Sequence, residues 1–168
     1  ALHLGSGIAP GELRTLRPRD VAGYMPAGPG GVPFKLTIVA KPTVKTSSTS
    51  RSHDAVVAPW AGQALRFWMR FCEATSVACG QRVFPGSPQG TPWARHSHWV
   101  GVQSVMRGAG LSEGAIQGGI FPLRHTFAHR QIKRGTDPAK VAAMLGVSDV
   151  SRMDEYAQVL VEPETEVV

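Results

Sequence analysis

Leu123-Arg124-His125-Thr126-Phe127-Ala128, then Gly135-Thr136-Asp137-Pro138, then Met144-Leu145-Gly146, is the stretch whose reading decides the fold. Residues 123–134 read as a helix ended by Gly135. Thr136-Asp137-Pro138 starts another, because an N-cap candidate precedes a proline that a first helical turn tolerates. That helix carries Val141, Met144 and Leu145, and Gly146 closes it. Residues 151–160 read as a last helix that bears Tyr156 and stops before Pro163. Upstream, residues 96–108 form a helix pattern with Trp99, Val102 and Met106. Residues 60–78 (WAGQALRFWMRFCEATSVA) space Leu65, Trp68, Met69 and Cys72 on one helix face. Phe84-Pro85-Gly86-Ser87-Pro88 between them is loop.

Ahead of residue 60 the period changes. Phe34-Lys35-Leu36-Thr37-Ile38-Val39-Ala40 alternates and is rich in β-formers, so it reads as a strand. Ala55-Val56-Val57-Ala58-Pro59 is a short second strand, and the Ser/Thr-rich, basic residues 44–54 make the hairpin tip. Leu13 and Leu16 suit one face of a short helix that Pro18 stops, and residues 22–33 are a Gly/Pro loop. The expected fold is mainly α with a small antiparallel β-hairpin or sheet, an α+β arrangement over residues 1–168 as a single domain.

Composition bounds the function. The 168 residues are 42% hydrophobic, enough for a core, and the formal net charge is +6. No run approaches the roughly 18 apolar residues of a membrane span, and no signal-peptide pattern opens the sequence. The charge divides unevenly: residues 1–148 carry +11 and residues 149–168 carry −5. A basic body suits a polyanion, or is a solvated surface beside an acidic tail. Cys72 and Cys79 make neither a disulfide framework nor a four-ligand zinc site, and read as buried apolar thiols. His96 and His98 have no nearby Cys or acid to complete a metal site. Trp60, Trp68, Trp93 and Trp99 read as core or hairpin packing.

The motifs of residues 123–128 and 144–146, with Tyr156 nine positions after Val147, resemble the C-terminal catalytic domain of the tyrosine recombinases, or phage integrases. In that family an H-x-L-R-H-T-F-A motif opens a helix, a helix ending in L-G-H follows, and a nucleophilic Tyr lies on the next. Residues 6–21 look like the family's T-G-L-R-x-x-E-L motif and its continuation, and Val83-Phe84-Pro85 looks like its L-F-P. The hairpin with Lys41 and Lys45 falls where the family keeps a catalytic Lys. The match spans nearly all of residues 4–160. It implies a domain acting on duplex DNA inside the cell, with no cofactor and no metal. It also implies a longer protein, because the family's N-terminal clamp domain is not represented.

The family chemistry explains the residue types. A tyrosine phenol attacks a DNA phosphodiester and forms a 3′-phosphotyrosine link. Guanidiniums clamp the phosphate oxygens bidentately, and a Lys protonates the leaving 5′-hydroxyl. The resemblance implies Tyr156 as nucleophile, Arg124 as the second Arg, and Lys45, or else Lys41, as the Lys. Lys41, Lys45, Arg51, Arg124 and Arg130 are the expected DNA contacts. Three family positions are replaced: the first Arg by Ala9, one His by Phe121 and the other by Val147. Losing one preorganised oxyanion donor typically lowers a rate by about 10²–10³, so these replacements predict impaired cleavage. Arg14 and Arg17 are cations near position 9. Arg124 also admits a structural reading, pairing with an acid such as Asp149. For the acidic tail, residues 157–168, the resemblance implies a contact in trans within a homo-oligomer, with Val159-Leu160-Val161 as the candidate. The alternative reading is a degenerate recombinase fold that binds DNA or assembles without cutting.

Overall fold

The computed structural model describes residues 1–22, 34–38, 52–75, 81–111, 113–117, 119–148, 150–151 and 153. Residues 44–51 of the expected hairpin tip and the acidic tail lie outside the described residues, as does the expected last helix apart from Ser151 and Met153, while His53 and Asp54, expected in the tip, are paired in a strand with Ile38 and Thr37.

The chain opens with two short helices, α1 (Leu2–Ser6) and α2 (Pro10–Thr15). Gly7 ends α1 in the left-handed conformation at φ 67°. Ala9 is extended and Pro10 follows as the first helical residue, while the Glu12 carboxylate accepts from the Ala9 N–H at 2.8 Å. Pro18 does more than stop the helix. It begins a 3₁₀ turn, Pro18–Asp20, whose Asp20 carboxylate accepts from the Arg17 N–H at 2.9 Å.

Three strands follow: β1 (Val21–Ala22), β2 (Lys35–Ile38) and β3 (His53–Val56). They form an antiparallel sheet in the order β1-β2-β3, with Val21 opposite Leu36 and Leu36 opposite Ala55. The expected two-stranded hairpin therefore gains an edge strand at the start of the Gly/Pro stretch. Period-2 alternation sends Leu36 and Ile38 inward. Lys35 and Thr37 face out and both donate to Asp54, each at 3.0 Å.

Five more helices complete the described chain, the first four being α3 (Pro59–Thr75), α4 (Arg95–Gly108), α5 (Glu113–Gln117) and α6 (Phe121–Lys133). Then comes α7 (Pro138–Leu145). The expected α7 signals hold: the Asp137 carboxylate accepts from the Ala139 N–H at 2.8 Å, and Gly146 ends the helix at φ 66°. One core packs the inner sheet face against Leu13, Leu16, Leu65, Met69 and Val83. A second joins α6 and α7 through Phe127, Ala128, Val141, Ala142, Leu145 and Met153. Helix α1 packs on both α3 and α6, and α7 packs on β3, so the two cores share walls.

Some packing expectations change. Trp60 and Trp99 are 48% and 40% exposed, so neither is a core residue. Trp68 is half-buried and its indole N–H donates to the Val83 carbonyl at 2.7 Å. Cys72 is buried but disulfide-bonded, which corrects the free-thiol expectation.

Gly7 tests how tightly α1 meets the second core. A Cβ there would lie 2.5 Å from Leu145 Cδ2 and 2.6 Å from Phe127 Cδ1, on a backbone at φ +67°. Gly135 has a similar backbone at φ +81° but nothing within 4 Å. Gly135→Ala is expected to destabilise by about 1 kcal/mol, the conformational share alone. Gly7→Ala should exceed it by about 1–3 kcal/mol from overpacking. Urea unfolding of both variants measures the difference, and equal losses would contradict the packing described for α1.

Candidate nucleic-acid interface

Arg124 occupies the junction of three elements. It lies on the second turn of α6, and its guanidinium donates through Nη1 to the Gly7 carbonyl at 2.6 Å. Through Nη2 it donates to the Leu145 carbonyl at 2.7 Å. Both acceptors stand at helix C-terminal ends, where carbonyls have no intrahelical partner. A planar fork serves the two groups through two separate nitrogens, where a lysine offers only one. The structural reading of Arg124 thus holds in a different form: its described partners are backbone carbonyls.

Near that junction in sequence lie the positions that the resemblance marks as replaced. Ala9 follows Gly7 by two residues, Phe121 precedes Arg124 by one helical turn, and Val147 follows Leu145 by two residues. Ala9 and Phe121 line one cavity of about 380 Å³, together with Arg14, Arg95 and His98. Val147 lines another, of about 630 Å³, with His53, Asp54 and Lys140. The His53 ring lies so close to Gly146 that a Cβ there would collide with it. Phe121 itself is 54% exposed, with its ring centroid 6.5 Å from that of His125.

Of the expected site residues, Arg124 is in place and Arg130 is exposed farther along α6. Six residues separate them, about 240° around the helix, so Arg130 does not join Arg124. Tyr156, Lys41, Lys45 and Arg51 lie outside the described residues.

Sequence reading missed a buried histidine pair. His3 on α1 and His98 on α4 are 5% and 1% exposed, and their Nε2 atoms are 3.0 Å apart. His3 Nδ1 lies 2.8 Å from the Ile8 carbonyl. A carbonyl only accepts, so Nδ1 carries a proton and, in neutral His3, Nε2 is the acceptor. His98 therefore donates from Nε2 to His3. Trp93 stacks on His98 at 4.8 Å between centroids. Burial pushes the His3 pKa down to about 4, against the pull of the Ile8 carbonyl, with His98, the N-terminus and Arg124 adding repulsion. Burial, then Arg14, pushes His98 down as well. His96, its near neighbour in sequence, is exposed beside Trp99. No group of three or more His, Cys, Asp or Glu able to hold a metal occurs among the described residues, and no described helix is long and apolar enough to cross a membrane.

This arrangement belongs to a known class of fold. The crystal structure of XerA recombinase superposes with TM-score 0.70 at 17% identity, covering 92% of this chain and 48% of that one. XerH site-specific recombinase bound to its palindromic difH substrate, in a post-cleavage complex, gives 0.69 at 18% identity over 94% of this chain and 40% of that one. The Tn1549 transposon integrase in complex with transposon right end DNA gives 0.65 at 13% over 92% and 51%. The chain thus has the tyrosine-recombinase catalytic-domain fold, and it spans about half the length of these proteins. No family model matches the sequence, and no curated protein is similar to it.

Two expected outcomes test the junction. Arg124→Ala strands two carbonyls and should destabilise by about 2–4 kcal/mol in urea unfolding, with Arg124→Lys recovering only part. The histidine pair sets a pH window. The folded His3 pKa lies below its unfolded value of 6.5, so its stability contribution is complete above pH 6.5 and is lost as pH falls toward about 4. The full loss is about 3 kcal/mol. His3→Gln should flatten this window in unfolding free energies measured from pH 7.5 to 4.5. An unchanged slope would contradict the assignment.

Proposed function

We propose that this chain is a tyrosine-recombinase-type domain that binds duplex DNA and is impaired in strand cleavage. The observation that carries the reading is the Arg124 junction within a recombinase fold. The arginine that the resemblance assigns to phosphate clamping is present, and the replaced positions Ala9, Phe121 and Val147 stand around it. Tyr156 keeps the register of the nucleophile, and Lys45, or else Lys41, keeps that of the leaving-group acid. The XerH and Tn1549 structures named above contain DNA, which supports duplex DNA as the partner here. The body's charge of +11 over residues 1–148 supports it too.

The mechanism that follows assigns limited roles. Arg124 orients the site through the two carbonyls while its guanidinium keeps a positive field there. Tyr156 would supply the attacking phenolate. Ala9 contributes no donor, and neither Phe121 nor Val147 can move a proton. The tail, residues 157–168, would contact a second protomer. A second reading is a DNA-binding assembly module that never cuts. It is favoured by Arg124 being engaged in backbone bonding, since that role retains the residue without any reaction.

A nicked suicide duplex separates these. The expected result is a salt-sensitive gel shift with a covalent protein–DNA band at trace level or below. Any such band should vanish in Tyr156→Phe and rise by tenfold or more in Ala9→Arg. A strong covalent band in the unaltered chain would overturn the impairment, and no shift at low salt would overturn the DNA reading.

A further inference from the structure

Position 9 lacks its arginine, yet the cavity beside it is lined by two other arginines among apolar residues. The cavity lined by Ala9 and Phe121 is about 380 Å³ and also takes in Arg14, Arg95, His98 and Trp99. Arg14 comes from the last turn of α2 and Arg95 from the first residue of α4. The two guanidiniums therefore reach one space from elements some 80 residues apart in sequence. Arg14 Nε donates to the Pro10 carbonyl at 3.3 Å, which keeps that side chain along its own helix. Among the described residues no carboxylate lines the cavity and neither arginine has a salt bridge. Other arginines differ: Arg19 faces Asp20 at 3.8 Å and Arg107 faces Glu113 at 2.7 Å. Two unneutralised guanidiniums at one concavity repel each other, a cost that a bound anion reverses.

The walls are held in place. Trp93 stacks on His98, and the Trp99 indole stands over Gly119, where a Cβ would lie 3.1 Å from its Nε1. The pocket thus takes one arginine from α2 and one from α4, beside the packed aromatic rings of α4. It also sits two residues from the Gly7 carbonyl that Arg124 holds.

We propose that this cavity is a phosphate subsite in which Arg14 and Arg95 hold a DNA backbone phosphate in place of the cation missing at position 9. The inference rests on the reading of the chain as a duplex-DNA-binding domain. It differs from a general basic surface in naming two residues whose joint loss removes discrete phosphate contacts. Each neutralised phosphate adds about 0.9 to the slope of log affinity against log salt.

The test is fluorescence anisotropy of the full chain on a labelled duplex of about 30 bp, across a salt series. The pair Arg14→Gln with Arg95→Gln should lower the slope by about 0.9, the share of one phosphate, and weaken low-salt affinity at least tenfold. Arg14→Lys with Arg95→Lys keeps the charge and should keep the slope. Arg19→Gln with Arg107→Gln removes the same charge from acid-paired sites and should leave the slope within half a unit. Should the Gln pair not fold, Arg95→Gln alone, at an exposed helix start, is expected to lose part of that slope and to weaken low-salt affinity several-fold. An unchanged slope in the Gln variants overturns the subsite while the DNA reading stands. Equal losses in the Arg19/Arg107 control overturn it also, because charge alone then explains the effect. No binding by the unaltered chain at low salt overturns the DNA reading and the subsite with it.

Discussion

The guanidinium of Arg124 is the interaction on which the rest of the structure depends. It bridges the carbonyls of Gly7 and Leu145, the ends of α1 and α7. Helix ends leave carbonyls without partners, and burying such groups unsatisfied is costly. One arginine on α6 answers two ends, and so pins the first helix and the last fully described helix to a common point. The sheet core and the α6–α7 core share walls through α1 and β3. Loosening the bridge would loosen both.

The same bridge explains why an arginine at this place is weak testimony to catalysis. A residue that only clamped phosphate would become dispensable once Ala9, Phe121 and Val147 had replaced their donors. One that also closes two helix ends remains needed for folding. The fold has a use for this side chain whether or not a reaction does. The other arginines differ in their surroundings. Arg19 and Arg107 face acids, while Arg14 and Arg95 open onto a shared cavity without one.

Burial of the His3–His98 pair adds an opposite character next to that basic ground. Two imidazoles with lowered pKa values, stacked under Trp93, stay neutral where a charge would be repelled by Arg14 and Arg124. Their hydrogen bond ties α1 to α4, a link that no apolar pattern supplies. The basic cavity therefore rests on a floor that is polar but uncharged.

Much of the fold was legible in local windows. Gly135, Asp137, Pro138 and Gly146 marked the ends of α6 and α7 because capping and left-handed turns act within a few residues. Alternation in residues 34–40 marked β2 for the same reason. The recombinase-like register of Arg124, Tyr156 and the replaced positions was also present in the sequence alone. The short β1 and α1 were not legible, since two strand residues and a five-residue helix carry too little periodicity and form through their partners. Nor were the partners of Arg124, the His3–His98 bond across 95 positions, or the meeting of Arg14 with Arg95. Sequence spacing determines which face of a helix a residue occupies. What that face meets depends on how distant helices pack, and only the tertiary structure decides it.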